Sequence, residues 1–249
     1  MLGTAHRMIG RFLATFGLLL ISVQAEAARF QLDIGGEGDG HEGSAAIKMM
    51  VILTLLSLAP AMLLTMTSFV RISVVLMLLR TALGTQTSPP QQALMGLSLF
   101  LTVAIMWPVG SEMYERGLQP YMEDKISSSD ALVEASKPLR IFMLRQTREK
   151  DLKLFYELSQ TAKPKAVEEV GMHLLIPAFV ISELRTAFEM GFLVYIPFLL
   201  LDMVVASVTM SLGLVMLPPA LLSLPLKIML FVLSDGWNLI VRSLVRSFG

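Results

Sequence analysis

The residues from Met66 to Met106 constrain this chain most. Two long apolar runs are joined there by a short polar link, and the only charges are Arg71 and Arg80. A helix on the surface of a soluble domain carries a polar face. These runs carry almost none, so they need a non-aqueous neighbour on nearly every side. Lipid would meet that need, as would many apolar helices of an assembly. The choice is between a membrane transporter, a membrane enzyme and an assembly subunit.

Composition points the same way. Of 249 residues, 54% are hydrophobic and only 16% charged, where soluble domains carry about 25% charged residues. The mean hydropathy is +0.67. The formal net charge is zero, so nothing favours nucleic acid or an anionic surface as partner. The chain has no cysteine, which excludes disulfides, thiolate metal sites and a cysteine nucleophile. Its 18 methionines are flexible, polarizable fillers of apolar helices.

The chain opens like a secretory signal. Arg7 and Arg11 form a basic region, Phe12 to Val23 is apolar, and Ala25-Glu26-Ala27 is a small-residue cleavage site that would leave Ala28 first. The apolar run is shorter than the ~20 residues of a membrane span, so residues 1–27 are read as a cleaved signal. The alternative is an uncleaved first membrane helix. Residues 28–45 are read as a flexible linker, with Gly35, Gly36, Gly38, Gly40 and Gly43 among acids. No Gly-Lys-Ser/Thr follows to make a phosphate loop, and His41-Glu42 does not extend to a zinc-binding H-E-x-x-H.

Residues 46–110 read as an apolar helical hairpin. Met49 to Leu79 exceeds one membrane thickness, and Pro60 is expected to kink it. Pro89-Pro90 marks a turn, and Trp107-Pro108 is expected to end the second apolar segment, Ala93 to Val109. Residues 111–171 carry both signs of charge and read as a small helical domain on the periplasmic side. Ser136-Lys137-Pro138 resembles its helix start. Phe142, Phe155 and Leu158 recur between charges, Glu149 and Lys153 are spaced i,i+4, and Lys163-Pro164 closes the segment.

Residues 172–249 are apolar again but contain Glu183, Arg185, Glu189, Asp202, Lys227 and Asp235, with Pro177, Pro197, Pro218, Pro219 and Pro225. Charges at membrane depth are costly and face a partner or a wet path. Prolines free backbone groups that need burial in protein. The expectation is broken helices built into an assembly. Topology agrees: with a cleaved signal, Arg80 lies inside, but Arg242 and Arg246 fall outside, against the positive-inside rule. The C-terminal segments are therefore not read as ordinary spans.

These residues carry a resemblance. Met66-Thr67-Ser68-Phe69 with Arg71, Leu79-Arg80-Thr81-Ala82-Leu83-Gly84-Thr85-Gln86 and Pro89-Pro90 resemble the flagellar biosynthesis FliP family. So do Glu183-Leu184-Arg185-Thr186-Ala187-Phe188, Gly191-Phe192, Pro197-Phe198, Asp202, Gly213, Leu217-Pro218-Pro219, Leu224-Pro225-Leu226-Lys227 and Asp235-Gly236-Trp237. The resemblance runs from about Met49 to the last residue. It implies an all-α core subunit of the flagellar type III export gate, at the bacterial inner membrane and its periplasmic side, in the basal body. It implies a homo-oligomer joined by FliR and FliQ, completed by FlhB and FlhA. Such a gate passes unfolded rod, hook and filament proteins outward. Its helices are largely raised out of the membrane plane. Relatives commonly place a methionine cluster before the Leu-Pro-Pro turn as a pore gasket. Here those positions are Leu214, Val215 and Met216, with Gly213, Pro218 and Pro219 shaping the loop. Leu and Val still make an apolar constriction.

Among the charges, Arg80 reads as a helix end. Arg71 lies deeper in apolar sequence and is expected to form an intersubunit ion pair. Glu183, Arg185 and Glu189 share roughly one helical side. Asp202 and Lys227 are candidate partners for Arg71 or for another chain. His173 is read as structural or exposed rather than a metal ligand. No cofactor site and no catalytic set is recognised: neither an H-E-x-x-H nor a G-x-S-x-G pattern is present. Three other readings stay open: the equivalent subunit of a virulence injectisome, an ion-coupled solute transporter, which predicts internal repeats not seen here, and a membrane enzyme.

Overall fold

A computed structural model describes residues 42–85, 88–160, 170–213 and 218–249. The signal, most of the linker and Lys163-Pro164 lie outside the described residues. All regular structure among the described residues is helical. Contacts divide the chain at Ala59 and Pro60 into two units. The first holds the beginning of helix α1 (Glu42–Thr65), which starts inside the stretch read as linker and runs on through Pro60.

The second unit is a helical bundle. Its elements are α2 (Phe69–Leu83), α3 (Gln91–Met113), a π-helical turn (Tyr114–Leu118), α4 (Gln119–Met122), α5 (Ser128–Gln146), α6 (Glu149–Leu158), α7 (Met172–Ser211), α8 (Pro219–Leu233) and α9 (Gly236–Arg246). Helix α2 lies chiefly against α7 and is flanked by α3. Helices α5, α6 and α8 also rest on α7, α5 packs on α3, and α9 on α8. The 40-residue α7 is thus the spine.

Several helix ends differ from expectation. Trp107-Pro108 does not stop the second apolar helix, which continues through the π-helical turn to Met122. A proline removes one N–H bond, and a long apolar helix absorbs that loss when neighbours cover the freed carbonyl. Helix α5 starts nine residues earlier than expected, capped by Ser127, whose Oγ accepts the Asp130 N–H at 3.2 Å. Ser136-Lys137-Pro138 sits inside it. Pro177 and Pro197 lie within an unbroken α7. Pro218-Pro219 does stand at a helix boundary, at the start of α8, and a second C-terminal break comes at Asp235, held at φ 50°, where α8 and α9 bend by 64°.

Two apolar cores form among the described residues. One gathers Ile72, Leu76 and Leu79 of α2 with Ala187 and Phe198 of α7 and Leu244 of α9. The other gathers Met66 with Phe142 and Met143 of α5 and Leu175 and Phe179 of α7. Where α2 and α7 touch, a Cβ on Gly191 would sit 2.2 Å from Leu78 Cδ1. A larger residue there would force Leu78 to shift, and small residues are the way apolar helices gain contact when no water is left to exclude.

Among the described residues two helices are long and apolar enough to cross a membrane, Gln91–Met122 and Met172–Ser211, and α8 with α9 could form a bent third. The fold is that of an all-α membrane protein.

Candidate functional site

Both cores run along α7, and one ion pair marks their seam. In the chain, Arg71 of α2 stands between Met66 of one core, just before that helix, and Ile72 of the other. On α7, Glu183 stands between Phe179 and Ala187. Arg71 is 2% exposed and Glu183 is fully buried. Arg71 Nε donates to Glu183 Oε2 at 2.9 Å, and Nη2 donates to Glu183 Oε1. Nη2 also donates to Gln146 Oε1 at 2.9 Å. Nη1 donates to the Ser247 carbonyl at 2.7 Å and to Ser247 Oγ at 2.9 Å. Arginine has five N–H donors, and these five bonds use them all. Phe248 lies under the guanidinium, 3.9 Å from ring centroid to Cζ, and packs against both cores. Gln146 Nε2 closes the ring by donating to the Phe248 carbonyl at 3.2 Å. One side chain therefore joins α2, α5, α7 and the segment after α9. The partner expected from another subunit is supplied by Arg71's own chain.

A second cluster lies near the end of α2. Lys227 Nζ of α8 donates to Asp202 Oδ2 of α7 at 2.7 Å and to the Ala82 carbonyl at 3.1 Å. That carbonyl is among the last four of α2, which have no partner within their own helix. Ser223 Oγ donates to Asp202 Oδ1 at 2.6 Å. Lys227 is buried and Asp202 half-buried. Asp202 and Lys227 thus serve each other rather than Arg71.

The third cluster docks α6 onto α7. Ser182 Oγ accepts the Arg148 N–H at 3.0 Å and donates to Asp151 Oδ2 at 2.7 Å. Arg148 reaches Glu189 with both terminal nitrogens, at 3.0 and 2.6 Å, and Thr186 Oγ1 at 3.2 Å. The Glu189 carboxylate, hydrogen-bonded to Arg148, holds that guanidinium above its ordinary pKa. Arg185 also pairs with Glu189, at 3.2 Å, and is exposed rather than buried.

In formal charge each cluster closes to zero, as a low-dielectric setting demands. The Ser182 and Ser223 hydroxyls within them are buried, and each donates to a carboxylate. His173 is exposed at the start of α7. Among the described residues no group of three or more metal-ligating side chains forms.

The loop after α7 is only partly described. Gly213 follows α7 at φ 76°, Pro218 is extended, and Pro219 is the first residue of α8. Leu214, Val215 and Met216 lie outside the described residues.

The chain has relatives. The model of the FliP family matches residues 52–244. The chain belongs to the FliP family. It is 49% identical to the flagellar biosynthetic protein FliP of Bacillus subtilis, over 87% of this chain and 98% of that one. It is 53% identical to the Pectobacterium carotovorum protein of the same name, over 84% of this chain and 81% of the relative. For the protein of that name from Borreliella burgdorferi the identity is 46%, over 84% of each. The matched span contains the second and third clusters and the Arg71–Glu183 pair, but stops short of Ser247 and Phe248.

Sequence reasoning missed Gln146, Arg148, Asp151, Ser182, Ser223 and the Ser247–Phe248 segment. A signal for Arg148 existed: Thr147-Arg148 interrupts the apolar spacing of Phe142 and Met143 just before the charged start of α6. Ser247 offered none, because it contributes chiefly a backbone carbonyl.

Proposed function

We propose that this chain is a core subunit of the flagellar type III protein export gate, acting without catalysis to pass unfolded rod, hook and filament proteins across the inner membrane. The observation that carries the reading is the family match across residues 52–244. The relatives named above are flagellar, which supports this reading over an injectisome.

The geometry supports assembly. At 40 residues, α7 is roughly 60 Å long, about twice the hydrocarbon core. Glu183, Arg185, Glu189 and Asp202 are spread along it, and charges at membrane depth need a partner or a wet path. Yet Phe188, Phe192, Leu193, Leu200 and Met203 are exposed along it. Apolar side chains beyond the bilayer need protein cover, and further copies of this chain with FliR and FliQ would provide it. FlhB and FlhA are the expected neighbours in the apparatus. Residues 1–27 act as the export signal in this reading, and 111–171 lie on the periplasmic side. Leu214, Val215 and Met216 line an apolar collar that seals the closed pore, shaped by Gly213, Pro218 and Pro219.

The test is complementation. A strain lacking its own FliP, supplied with this chain, should secrete hook and filament proteins, and FliR and FliQ should purify with the tagged chain. A chain that inserts and oligomerises but restores no secretion would overturn the reading. Shrinking Leu214, Val215 and Met216 to Ala should raise the conductance of the reconstituted complex. An assembled triple variant that conducts no more than the parent removes the collar from the proposal.

A further inference from the structure

Helix α9 is tied at its two ends by different means. At the near end the chain turns at Asp235, whose left-handed φ of 50° separates α8 from α9. Gly236 lies against the Phe231 ring of α8, and Trp237 meets that ring edge-on at 5.3 Å. At the far end Ser247 and Phe248 reach the seam between the cores. Among the described residues, these two make every hydrogen bond that α9 and the segment after it form with the earlier helices. The Ser247 carbonyl and Oγ accept from Arg71, and the Phe248 carbonyl accepts from Gln146. Phe248 also stacks on Phe142, with ring centroids 6.2 Å apart. Between its ends the helix is held by apolar contact on one side. Ile240 and Leu244 enter the first core, whereas Asn238, Leu239, Arg242, Ser243 and Arg246 are exposed.

Releasing α9 is unlike releasing its neighbours. Parting α2 from α7 would strand Glu183 in the core without a counter-charge, which is costly. Lifting α9 leaves Arg71 with both Glu183 bonds and the Gln146 bond. Only Nη1 loses its acceptors and Gln146 Nε2 its own, and water entering the seam replaces them. No charge is left bare. The apolar loss falls chiefly on Ile240, Leu244 and Phe248. An element held by few buried contacts and by no ion pair opens before the whole fold does. Phe248 packs against both cores, so its departure also removes a ring that bridges them.

We propose that α9 with Ser247 and Phe248 is a strap, hinged at Asp235 and latched on Arg71 and Gln146. Closed, it locks the two cores to each other. It opens as a unit while α2 and α7 stay paired. The device rests on the packing of this unit alone and does not depend on the export-gate reading.

The experiment is native-state hydrogen exchange on the full chain in detergent, read peptide by peptide. In the parent, amides from Trp237 to Arg246 should exchange together. They should do so ahead of the α2 and α7 amides around Arg71 and Glu183, and ahead of α8 up to Leu233. Phe248→Ala should speed exchange in α9 at least about tenfold, as loss of a large apolar contact would, and speed α2 and α7 by less. Ser247→Ala keeps the carbonyl acceptor and should do less than Phe248→Ala. The chain has no cysteine of its own, so a disulfide between Gln146→Cys and Ser247→Cys can hold the latch shut. It should slow α9 to the rate of α2, and reductant should restore the faster rate. If α9 exchanges only together with α2 and α7, in parent and variants alike, it belongs to the global fold and the strap is overturned. An opening unit that takes in α8 overturns the hinge at Asp235. Exchange in α9 that is as fast with the latch locked as with it free overturns the latch. Should Phe248→Ala fold poorly, the order of exchange in the parent decides.

Discussion

Glu183 and Glu189 stand six residues apart on α7, each facing an arginine from another element, yet their surroundings are opposite. The Arg71–Glu183 pair has almost no solvent, every guanidinium donor occupied and an aromatic ring beneath. The Arg148–Glu189 pair has side chains 30% and 53% exposed, and Glu189 is shared with Arg185. In the first case neither charge can find water if its partner is lost. In the second, water replaces a lost partner at little cost. The contrast teaches that burial, more than bond length, decides what an ion pair does for this fold.

The sharpest break of that contrast is Arg71→Ala. It leaves Glu183 buried without a partner and releases Gln146 and the Ser247 carbonyl together. Removing one member of a buried pair costs about 3–5 kcal/mol. The variant should give little monodisperse protein and a strongly lowered thermal midpoint. The double variant Arg71→Met with Glu183→Met should recover much of the loss, since an apolar pair of similar volume is often as stable. A double variant no better than Arg71→Ala would show that the bonds to Gln146 and Ser247 matter more than the pairing. Arg71→Ala with parental stability would remove the argument from burial.

That Arg71 and Glu183 would both need partners was legible, because a charge inside an apolar run cannot stay bare. Their pairing was not, since 112 residues separate them and several carboxylates competed. The helical class was equally legible from long apolar runs with little turn chemistry. Helix ends were not. Pro138 fits a first turn by local rules, but Ser127 and Asp130 supply a true cap upstream, and the helix tolerates the proline within. Pro177 and Pro197 mislead in the same way: in a helix packed on four neighbours, a missing N–H bond need not break the element. The break at Asp235, unlike the one before Pro219, rests on a left-handed backbone that its residue type only weakly signals. The Ser247–Phe248 contribution was hidden because its key acceptor is a main-chain oxygen.

Lys227→Ala should fall between the two pairs. The ammonium is buried but Asp202 is half open to solvent, so the carboxylate can partly rehydrate. The Ala82 carbonyl loses its charged donor, and hydrogen bonds to charged groups contribute about 1.5–3 kcal/mol. The thermal midpoint should drop less than in Arg71→Ala. Asp202→Asn should do less still, because Ser223 and Lys227 can both donate to the remaining amide oxygen. If Lys227→Ala matched Arg71→Ala in severity, exposure of one partner would not be the scale that orders these sites.

The smallest effect is expected at Glu189→Gln. Arg148 would keep Thr186, and its backbone N–H would stay bonded to Ser182, so α6 remains docked. Arg185 and Arg148 both reach water. What disappears is a carboxylate that balances two guanidinium groups. That balance is electrostatic and exposed, so salt should screen it. In low salt the midpoint of Glu189→Gln should lie slightly below the parent, and in high salt the two should coincide. Asp151→Asn makes the control on the buried side of the same cluster. Its carboxylate accepts from Ser182 Oγ within the α6–α7 contact, and its effect should be larger and insensitive to salt. Were Glu189→Gln the more damaging of the two, or unaffected by salt, the two ends of this cluster would have been assigned the wrong way round. Solvent access would then not explain why α7 carries one carboxylate for the seam between the cores and another for its surface.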